Sequence, residues 1–190
     1  SAGFNSQGIL SGAGVGRALA EWIVEGRPTM DLSEIDIARF QRFQVNRRYL
    51  HDRISESLGL LYAMHWPHLQ VETARPVRET PLHSRLAERN ASFGEAAGWE
   101  RANWFATDKT PGEQCLSWRR TNWFDATAEE CQAVANGVGL FEVSAFSKYD
   151  VAGANAFAAL DGLGSNAPAK NDGGITLNYA LTPQGGVYSE

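Results

Sequence analysis

Residues 3–28 read GFNSQGILSGAGVGRALAEWIVEGRP, a glycine-rich approach that runs into one amphipathic helix. Apolar residues recur there with the spacing of a single helix face, which predicts a helix over roughly residues 13–25. The apolar residues on this face are Val15, Leu19, Trp22 and Ile23. Gly26 and Pro28 should end the helix, because glycine accepts a left-handed C-terminal cap and proline stops the helix just beyond it.

The glycines of this stretch do not form a dinucleotide fingerprint. Gly12, Gly14 and Gly16 follow the pattern G-x-G-x-G, whereas the fingerprint needs G-x-G-x-x-G after a strand. Two interpretations stay open. Small residues before a helix let backbone N–H groups approach a ligand, and the positive helix end favours an anionic group such as the N1–C2=O side of a reduced flavin. Alternatively, the glycines form a turn that packs the helix closely against a sheet.

Composition and charge narrow the functional classes. The 190 residues include 43% hydrophobic and 21% charged residues, and the formal charge is −5, which is typical of a soluble globular protein. The Arg residues are scattered, so binding to nucleic acid through its phosphates is not expected. No apolar run approaches the ~18 residues of a membrane span. Cys115 and Cys131 have no metal-type spacing, and we expect reduced thiols in a bacterial cytoplasm or a mitochondrial matrix.

The rest of the chain mixes helical and alternating patterns, which predicts an α+β fold. The predicted helices are a short one after Asp36, a longer one after Asn46, one over 82–89 opened by Pro81, one begun by the capping box Thr127–Glu130 and ended before Gly139, and one over 154–161. The predicted strands are 69–74, part of 91–105, 140–151, and 175–181 with a turn at 183–186. Residues 106–114 are small and polar with Pro-Gly, which favours a linker.

Histidines and tryptophans outside these patterns are candidates for binding a metal ion or a planar ligand. His65 and His68 stand three residues apart, but Pro67 interrupts a helix and no Cys or carboxylate joins them at ligand spacing, so no metal site is predicted. Four tryptophans flank the linker in two copies of W-x-R-x-N-W-F, at 99–105 and 118–124. They could stack a planar ligand or pack two domains together, and both copies could pack alike at a domain edge.

Both ends of the chain read as interrupted elements. Residues 2–9 already lead into an element, and after Gly185 and Gly186 only the beginning of a strand follows, which predicts a segment of a larger protein. Glu190 lies in that strand. Its carboxylate could hydrogen-bond a pterin or hold a secondary amine, or it could be an ordinary solvent-exposed strand residue.

Several long motifs occur in one order along the chain. They include GFNSQGI at 3–9, GVGRALAEWI at 14–23, ETAR at 72–75, GWER at 98–101, NWF at 103–105, RTNWF at 120–124, GLF at 139–141 and LTP at 181–183. Together these motifs resemble the dimethylglycine/sarcosine dehydrogenase family. The resemblance covers nearly the whole chain.

The resemblance implies an α+β fold in three parts. Residues 1–30 would be the end of a flavin domain of the D-amino-acid-oxidase type, and residues 31–110 a central linking domain. Residues 115–190 would be the first part of an aminomethyltransferase-like folate-binding domain.

The resemblance also implies a reaction and its participants. FAD would oxidise the N-methyl group of a small amino acid, an electron-transfer flavoprotein or oxygen would take the electrons, and tetrahydrofolate would accept the one-carbon unit. The residues implied to line the isoalloxazine edge are Gly3, Asn5, Ser6, Gln7, Gly8 and Ile9. Phe146 and Tyr179 would approach the pterin. Glu190, the implied catalytic residue, stands where many relatives have a functionally important Asp. The segment alone is expected to be inactive.

Two other functions stay open. The same three-part architecture resembles the pyruvate dehydrogenase phosphatase regulatory subunit, which would make the protein a regulator without redox chemistry. A glycine-cleavage-type aminomethyltransferase is the second alternative, although residues 1–105 argue against it because that family begins directly at the folate domain. Dimethylglycine, sarcosine, a longer N-methyl amino acid and a betaine-derived amine all stay open as substrates of the leading interpretation.

Overall fold

The computed structural model describes residues 1–107, 114–183 and 185–189, with side chains given as far as Val187 in the last range. Two compact units divide the chain, Ser1–Ala145 and Phe146–Glu190, called here the first and the second unit. Each unit contains both helices and strands, which confirms the predicted α+β class.

The elements of the first unit are α1 (Gly8–Glu25), two single-turn 3-10 helices (Ile37–Arg39 and Arg42–Val45), α2 (Arg47–Leu60), α3 (His83–Ala87), β1 (Ala91–Ala96), β2 (Trp99–Phe105) and α4 (Trp123–Asn136). Those of the second unit are α5 (Ala156–Leu163), β3 (Ala180–Leu181) and β4 (Val187–Ser189). None of the helices in the described ranges is both long and apolar enough to cross a membrane.

Helix α1 begins at Gly8, five residues before the predicted start, and ends as predicted. Gly26 adopts φ 73° in the left-handed region and caps the C-terminus. Along the helix only Ala18 is buried, whereas Ile9, Ile23 and Val24 are exposed. On the predicted apolar face Leu19 and Ile23 are exposed, whereas Val15 and Trp22 are half-buried, so the described residues cover this face only in part.

Side-chain caps set the starts of two other helices, as the sequence predicts. The Asp36 carboxylate accepts a hydrogen bond from Ala38 N–H at 2.6 Å and begins the first 3-10 turn. Asn46 Oδ1 accepts from Arg48 N–H at 2.9 Å and opens α2. Both caps satisfy N–H groups that lack partners inside the helix.

An antiparallel hairpin of β1 and β2 forms the centre of the first unit. Its two-residue turn, Ala97–Gly98, has positive φ at both positions, 50° and 83°, the conformation whose twist matches paired strands. A register shift lies between Ser92 and Phe93. Trp104 is 5% exposed and packs its ring inside this hairpin region. The prediction of strand and loop over 91–105 is confirmed.

Three strand predictions need correction. Residues 69–74 form no ladder, because side chains of α2 take the backbone hydrogen bonds that a partner strand would take. Residues 140–151 form no strand, and over 175–181 only Ala180–Leu181 pairs, with β4. Alternation predicts an extended backbone, but a strand also needs a neighbour, and the pattern does not specify one.

The second copy of the repeated motif also behaves differently from the prediction. Helix α4 begins at Trp123, so Thr127 lies inside the helix and not at its cap; the predicted end before Gly139 is confirmed. The first copy of the motif forms β2, whereas the second forms a loop and the first turn of α4. The two copies do not pack alike, because only the first has a partner strand. The linker prediction falls partly on residues 108–113, which lie outside the described residues.

Candidate functional site

A tight turn precedes α1 at the predicted flavin edge. Asn5 and Ser6 have φ of 38° and 70°, and Gln7 N–H donates to Phe4 O at 2.9 Å. No side chain caps the start of α1, so its first N–H groups point outward from an exposed turn. A helix N-terminus carries partial positive charge, which favours an anionic group near these N–H groups.

The glycines of the G-x-G-x-G pattern lie elsewhere than expected. Gly12, Gly14 and Gly16 lie inside α1 and not in a turn before it. A Cβ added at any of the three would meet no atom within 4 Å. Among the described residues they therefore do not pack α1 against a sheet, and they leave a strip of helix backbone without side chains open to close approach.

The second unit contains a cavity of about 460 Å3. Its walls are uncharged and consist of Leu160, Leu163, Gly164, Pro168, Ala169, Gly174, Thr176, Asn178, Tyr179 and Ala180. Tyr179, predicted to approach a pterin, is thus a wall residue. Phe146, predicted beside it, is half exposed and does not line the cavity. The role of both residues toward a pterin stays a prediction.

Two backbone hydrogen bonds close the turn that leads to the predicted catalytic residue. Thr182 N–H donates to Gly186 O at 2.8 Å, and Gly185 N–H donates to Thr182 O at 2.9 Å. This turn joins β3 and β4. Glu190 itself lies outside the described residues.

A charged network in the first unit was not predicted. Arg75 makes a bidentate ion pair with Glu100, Nε to Oε1 at 2.9 Å and Nη2 to Oε2 at 2.5 Å. The same guanidinium donates to Val71 O at 2.8 Å and Phe93 O at 3.2 Å. The pair joins the loop before Pro76 to strand β2. Arg75 and Glu100 both lie in the family motifs ETAR and GWER, which is the signal in the sequence for this contact.

A second part of the network joins α2 to residues 72–73. Arg53 donates to Thr73 O at 2.7 Å and reaches Glu95 Oε2 at 3.4 Å. The Glu56 carboxylate accepts from Glu72 N–H at 2.7 Å, from Thr73 N–H at 2.9 Å and from the Thr73 hydroxyl. These contacts hold an extended segment on a helix without a strand ladder.

Acid is expected to loosen this segment. Burial raises the pKa of the Glu56 carboxyl, but hydrogen bonds from Thr73 and Glu72 and the charge of Arg53 outweigh it, so the pKa is lowered. A lowered folded-state pKa stabilises the fold above the unfolded value of about 4.3, and this stability is lost as pH falls through the lower folded value. Urea unfolding from pH 7 to 3 measures it. Glu56→Gln should flatten the profile, and an unchanged acid slope would contradict this role.

Histidines and tryptophans of the first unit have structural partners. His65 Nε2 lies 2.8 Å from Leu60 O, and the His68 ring packs edge-on against Trp123 at 5.5 Å between centroids. Trp118 packs against Trp66 at 5.7 Å. Within the described ranges no group of three or more His, Cys, Asp or Glu residues could hold a metal ion. The aromatic contacts join residues 66–68 to 118–124 across the linker.

Two protein-family models match the chain side by side. The model described as the FAD dependent oxidoreductase central domain matches residues 25–80, and the GCVT N-terminal domain matches residues 82–190. The fold is therefore that of an oxidoreductase central domain followed by an aminomethyltransferase-like domain.

Three curated proteins are similar to this chain over most of its length. The 4-methylaminobutanoate oxidase (formaldehyde-forming) of Paenarthrobacter nicotinovorans is 54% identical over 82% of this chain and 19% of its own length. The mitochondrial pyruvate dehydrogenase phosphatase regulatory subunit of Mus musculus is 33% identical over 79% of this chain and 17% of its own length. The mitochondrial sarcosine dehydrogenase of Homo sapiens is 30% identical over 99% of this chain and 23% of its own length.

These matches define a segment of the FAD-dependent oxidoreductase class that carries a GCVT domain. The chain belongs to the dimethylglycine/sarcosine dehydrogenase family. It spans about a fifth of the length of the curated relatives it matches.

Proposed function

We propose that this chain is part of a flavin-dependent enzyme that oxidises the N-methyl group of a small amino acid and delivers the one-carbon unit to tetrahydrofolate. The observation that carries the proposal is the pair of adjacent family matches, a FAD oxidoreductase central domain at 25–80 and a GCVT domain at 82–190. Such an order couples an oxidation to one-carbon chemistry on one polypeptide. The proposed domain boundaries lie near residues 30 and 110–115, so the first family match ends and the second begins inside the proposed central domain.

The turn before α1 is the proposed contact with FAD. Bound FAD supplies a hydride acceptor for the N-methyl carbon. The exposed turn at Asn5 and Ser6 brings the backbone close to the ring edge, and the uncapped N–H groups of Gly8 and Ile9 stabilise negative charge there. Gly3 and Gln7 complete this contact. The amine-oxidising residues are proposed to lie elsewhere in the protein.

The second unit is the proposed contact with tetrahydrofolate. Loss of hydride from an N-methyl amine leaves an iminium ion. Water converts it to formaldehyde and the demethylated amine, whereas tetrahydrofolate captures the same carbon as methylenetetrahydrofolate with release of the same amine. A route closed to water favours capture. Tyr179 in the cavity wall, Phe146 and Glu190 are the proposed pterin contacts.

The substrate is proposed to be an N-methylated amino acid. The names of two relatives include such substrates, 4-methylaminobutanoate for the one that is 54% identical and sarcosine for the one that is 30% identical. The higher identity favours a longer N-methyl amino acid over sarcosine or dimethylglycine. Oxygen or an electron-transfer flavoprotein is the proposed electron acceptor.

A regulatory role is the second candidate. The relative that is a pyruvate dehydrogenase phosphatase regulatory subunit is 33% identical over 79% of the chain, about as similar as sarcosine dehydrogenase. A regulator would need the fold but no flavin chemistry.

One experiment separates these candidates. The visible spectrum of the complete gene product is recorded anaerobically before and after addition of 4-methylaminobutanoate, sarcosine or dimethylglycine, with unmethylated 4-aminobutanoate and glycine as controls. Bleaching of a flavin band by a methylated amine alone supports the dehydrogenase. A colourless protein that stays colourless with added FAD favours the regulator.

The fate of the one-carbon unit needs a second measurement on the same sample. Formaldehyde and methylenetetrahydrofolate are quantified in turnover with and without tetrahydrofolate. Conversion of most of the carbon to methylenetetrahydrofolate supports coupling to folate. Equal formaldehyde release in both samples would contradict the folate part of the proposal while leaving the oxidation intact.

A further inference from the structure

Asparagine side chains join two extended segments of the second unit, where a β-ladder would have backbone hydrogen bonds. Asn166 N–H donates to Asn178 Oδ1 at 2.8 Å, and Asn178 Nδ2 donates back to Asn166 O at 2.6 Å. Asn166 Nδ2 donates to Leu177 O at 3.0 Å. Ser165 N–H donates to Tyr179 O at 2.9 Å. These bonds define the asparagine clamp, residues 165–166 and 177–179.

Asn178 is the central member of the asparagine clamp. Its Oδ1 also accepts from the Ser165 hydroxyl at 3.1 Å and from Tyr179 N–H at 3.0 Å. One amide therefore bonds to the Ser165–Asn166 segment and to the backbone of the next residue. A side chain held by this many bonds favours one rotamer, and its bond to Tyr179 N–H restricts the peptide that joins residues 178 and 179.

A side chain at the position opposite the amide would displace the amide from the clamp. A Cβ added to Gly164 would overlap the Asn178 amide carbon, nitrogen and oxygen. Gly164 has φ −93° at the end of α5, a conformation that any residue adopts, so space and not backbone freedom requires glycine here. The clamp thus depends on a matched pair, a small residue at 164 and an amide at 178.

The clamp borders the cavity. Gly164, Asn178 and Tyr179 all line it, and Asn178 and Tyr179 are both half-buried. The cavity walls carry no charged side chain. An uncharged wall of apolar, amide and phenol groups suits a flat heteroaromatic ring with hydrogen-bonding edges.

We propose that Asn178 is a positioning residue that holds Tyr179 in the cavity wall for the pterin ring of tetrahydrofolate, an inference that rests on the proposed function. Preorganisation explains why an amide is used. A tyrosine whose backbone is already fixed loses less conformational freedom when a ligand binds, and the ligand binds more tightly for that reason. Asn178 acts through Tyr179 and does not take part in the chemistry.

The test compares variants of the complete gene product for binding of tetrahydrofolate under anaerobic conditions. Asn178→Ala removes the clamp, and Gly164→Ala displaces the amide while keeping Asn178. Each is expected to raise the Kd of tetrahydrofolate about tenfold, the loss of about 1.4 kcal/mol. The rate of flavin reduction by the amine should not change. Asn171→Ala, which removes an exposed amide of the same unit, is the matched control and should leave the Kd unchanged.

A double-mutant cycle separates positioning from general loss of structure. If Asn178 acts through Tyr179, Asn178→Ala should have little further effect on the Kd once Tyr179→Ala is present. Additive effects would overturn the positioning role, as would unchanged Kd values in both Asn178→Ala and Gly164→Ala.

Two further outcomes are distinguishable. If Asn178→Ala does not fold, Asn178→Asp tests the same clamp, because it replaces the donor to Asn166 O by a carboxylate oxygen that repels this carbonyl; it should also raise the Kd, and an unchanged Kd would overturn the proposal. Absence of tetrahydrofolate binding by the unmodified protein would overturn the folate part of the proposed function, and this inference with it.

Discussion

Arg75→Ala is expected to lower the free energy of unfolding of the first unit by about 3–5 kcal/mol. The side chains of Arg75 and Glu100 are 15% and 6% exposed, so the ion pair lies in a poorly hydrated site. Removal of the guanidinium leaves the Glu100 carboxylate buried without its cation and leaves Val71 O and Phe93 O without their donor. The cost of the orphaned charge exceeds the net stabilisation that the pair provides.

Urea unfolding followed by tryptophan fluorescence measures this effect, together with amide exchange of residues 91–105 by mass spectrometry. Arg48→Ala is the matched control, because Arg48 also pairs with a carboxylate, Asp52 at 3.9 Å, but is 92% exposed. An exposed pair contributes at most about 1 kcal/mol. Similar effects of the two substitutions would contradict a special role for the buried pair.

Joint replacement of the pair refines the same prediction. Arg75→Met with Glu100→Leu removes both charges, so no buried ion is left alone. The double variant should recover much of the stability that either single charge removal costs. A double variant as unstable as Arg75→Ala would mean that the hydrogen bonds to Val71 and Phe93, and not the charges, hold the loop.

Gly98→Ala is expected to destabilise the hairpin by at least about 2 kcal/mol. Gly98 has φ 83°, where a Cβ carries a steric cost, and that Cβ would also overlap the Phe43 ring. The turn is tied further to the rest of the unit: Gly98 O accepts from Arg78 N–H at 2.9 Å, and the Arg78 guanidinium lies over Phe43 at 5.1 Å from its centroid. A shift of the turn would disturb these contacts as well.

The neighbouring position supplies the control for this prediction. Ala97 has φ 50°, so Ala97→Gly relieves a left-handed alanine and adds freedom to the unfolded chain, and the two effects should cancel to within about 0.5 kcal/mol. Thermal unfolding of the two variants should therefore differ clearly. Equal melting temperatures would show that the Phe43 contact and the turn conformation contribute little.

The sequence predicts helix caps and helix ends correctly where the stabilising contact lies within a few residues. Asp36 and Asn46 cap helices as predicted because their partners are two or three positions away. Gly26 ends α1 for the same kind of reason, a backbone conformation that glycine adopts at low cost. The family and the α+β class followed from motif order. The start of α1 at Gly8 was not predicted.

Sequence patterns did not predict the contacts between residues that are distant in the sequence. The predicted strand over 69–74 is instead a segment bonded to α2 by Glu56 and Arg53, and Arg75 finds Glu100 25 residues away. Asn178 likewise bonds to Asn166, 12 residues away in the sequence.

The sequence by itself thus determined the family, the helix caps and the class of fold, since these depend on residue type and short spacing. Only the tertiary structure decided which extended segments become strands, which charges are buried, and why one copy of W-x-R-x-N-W-F is a strand and the other begins a helix. The physical reason is that backbone hydrogen bonds and buried charges must find partners, and the available partners are set by the packing of remote segments.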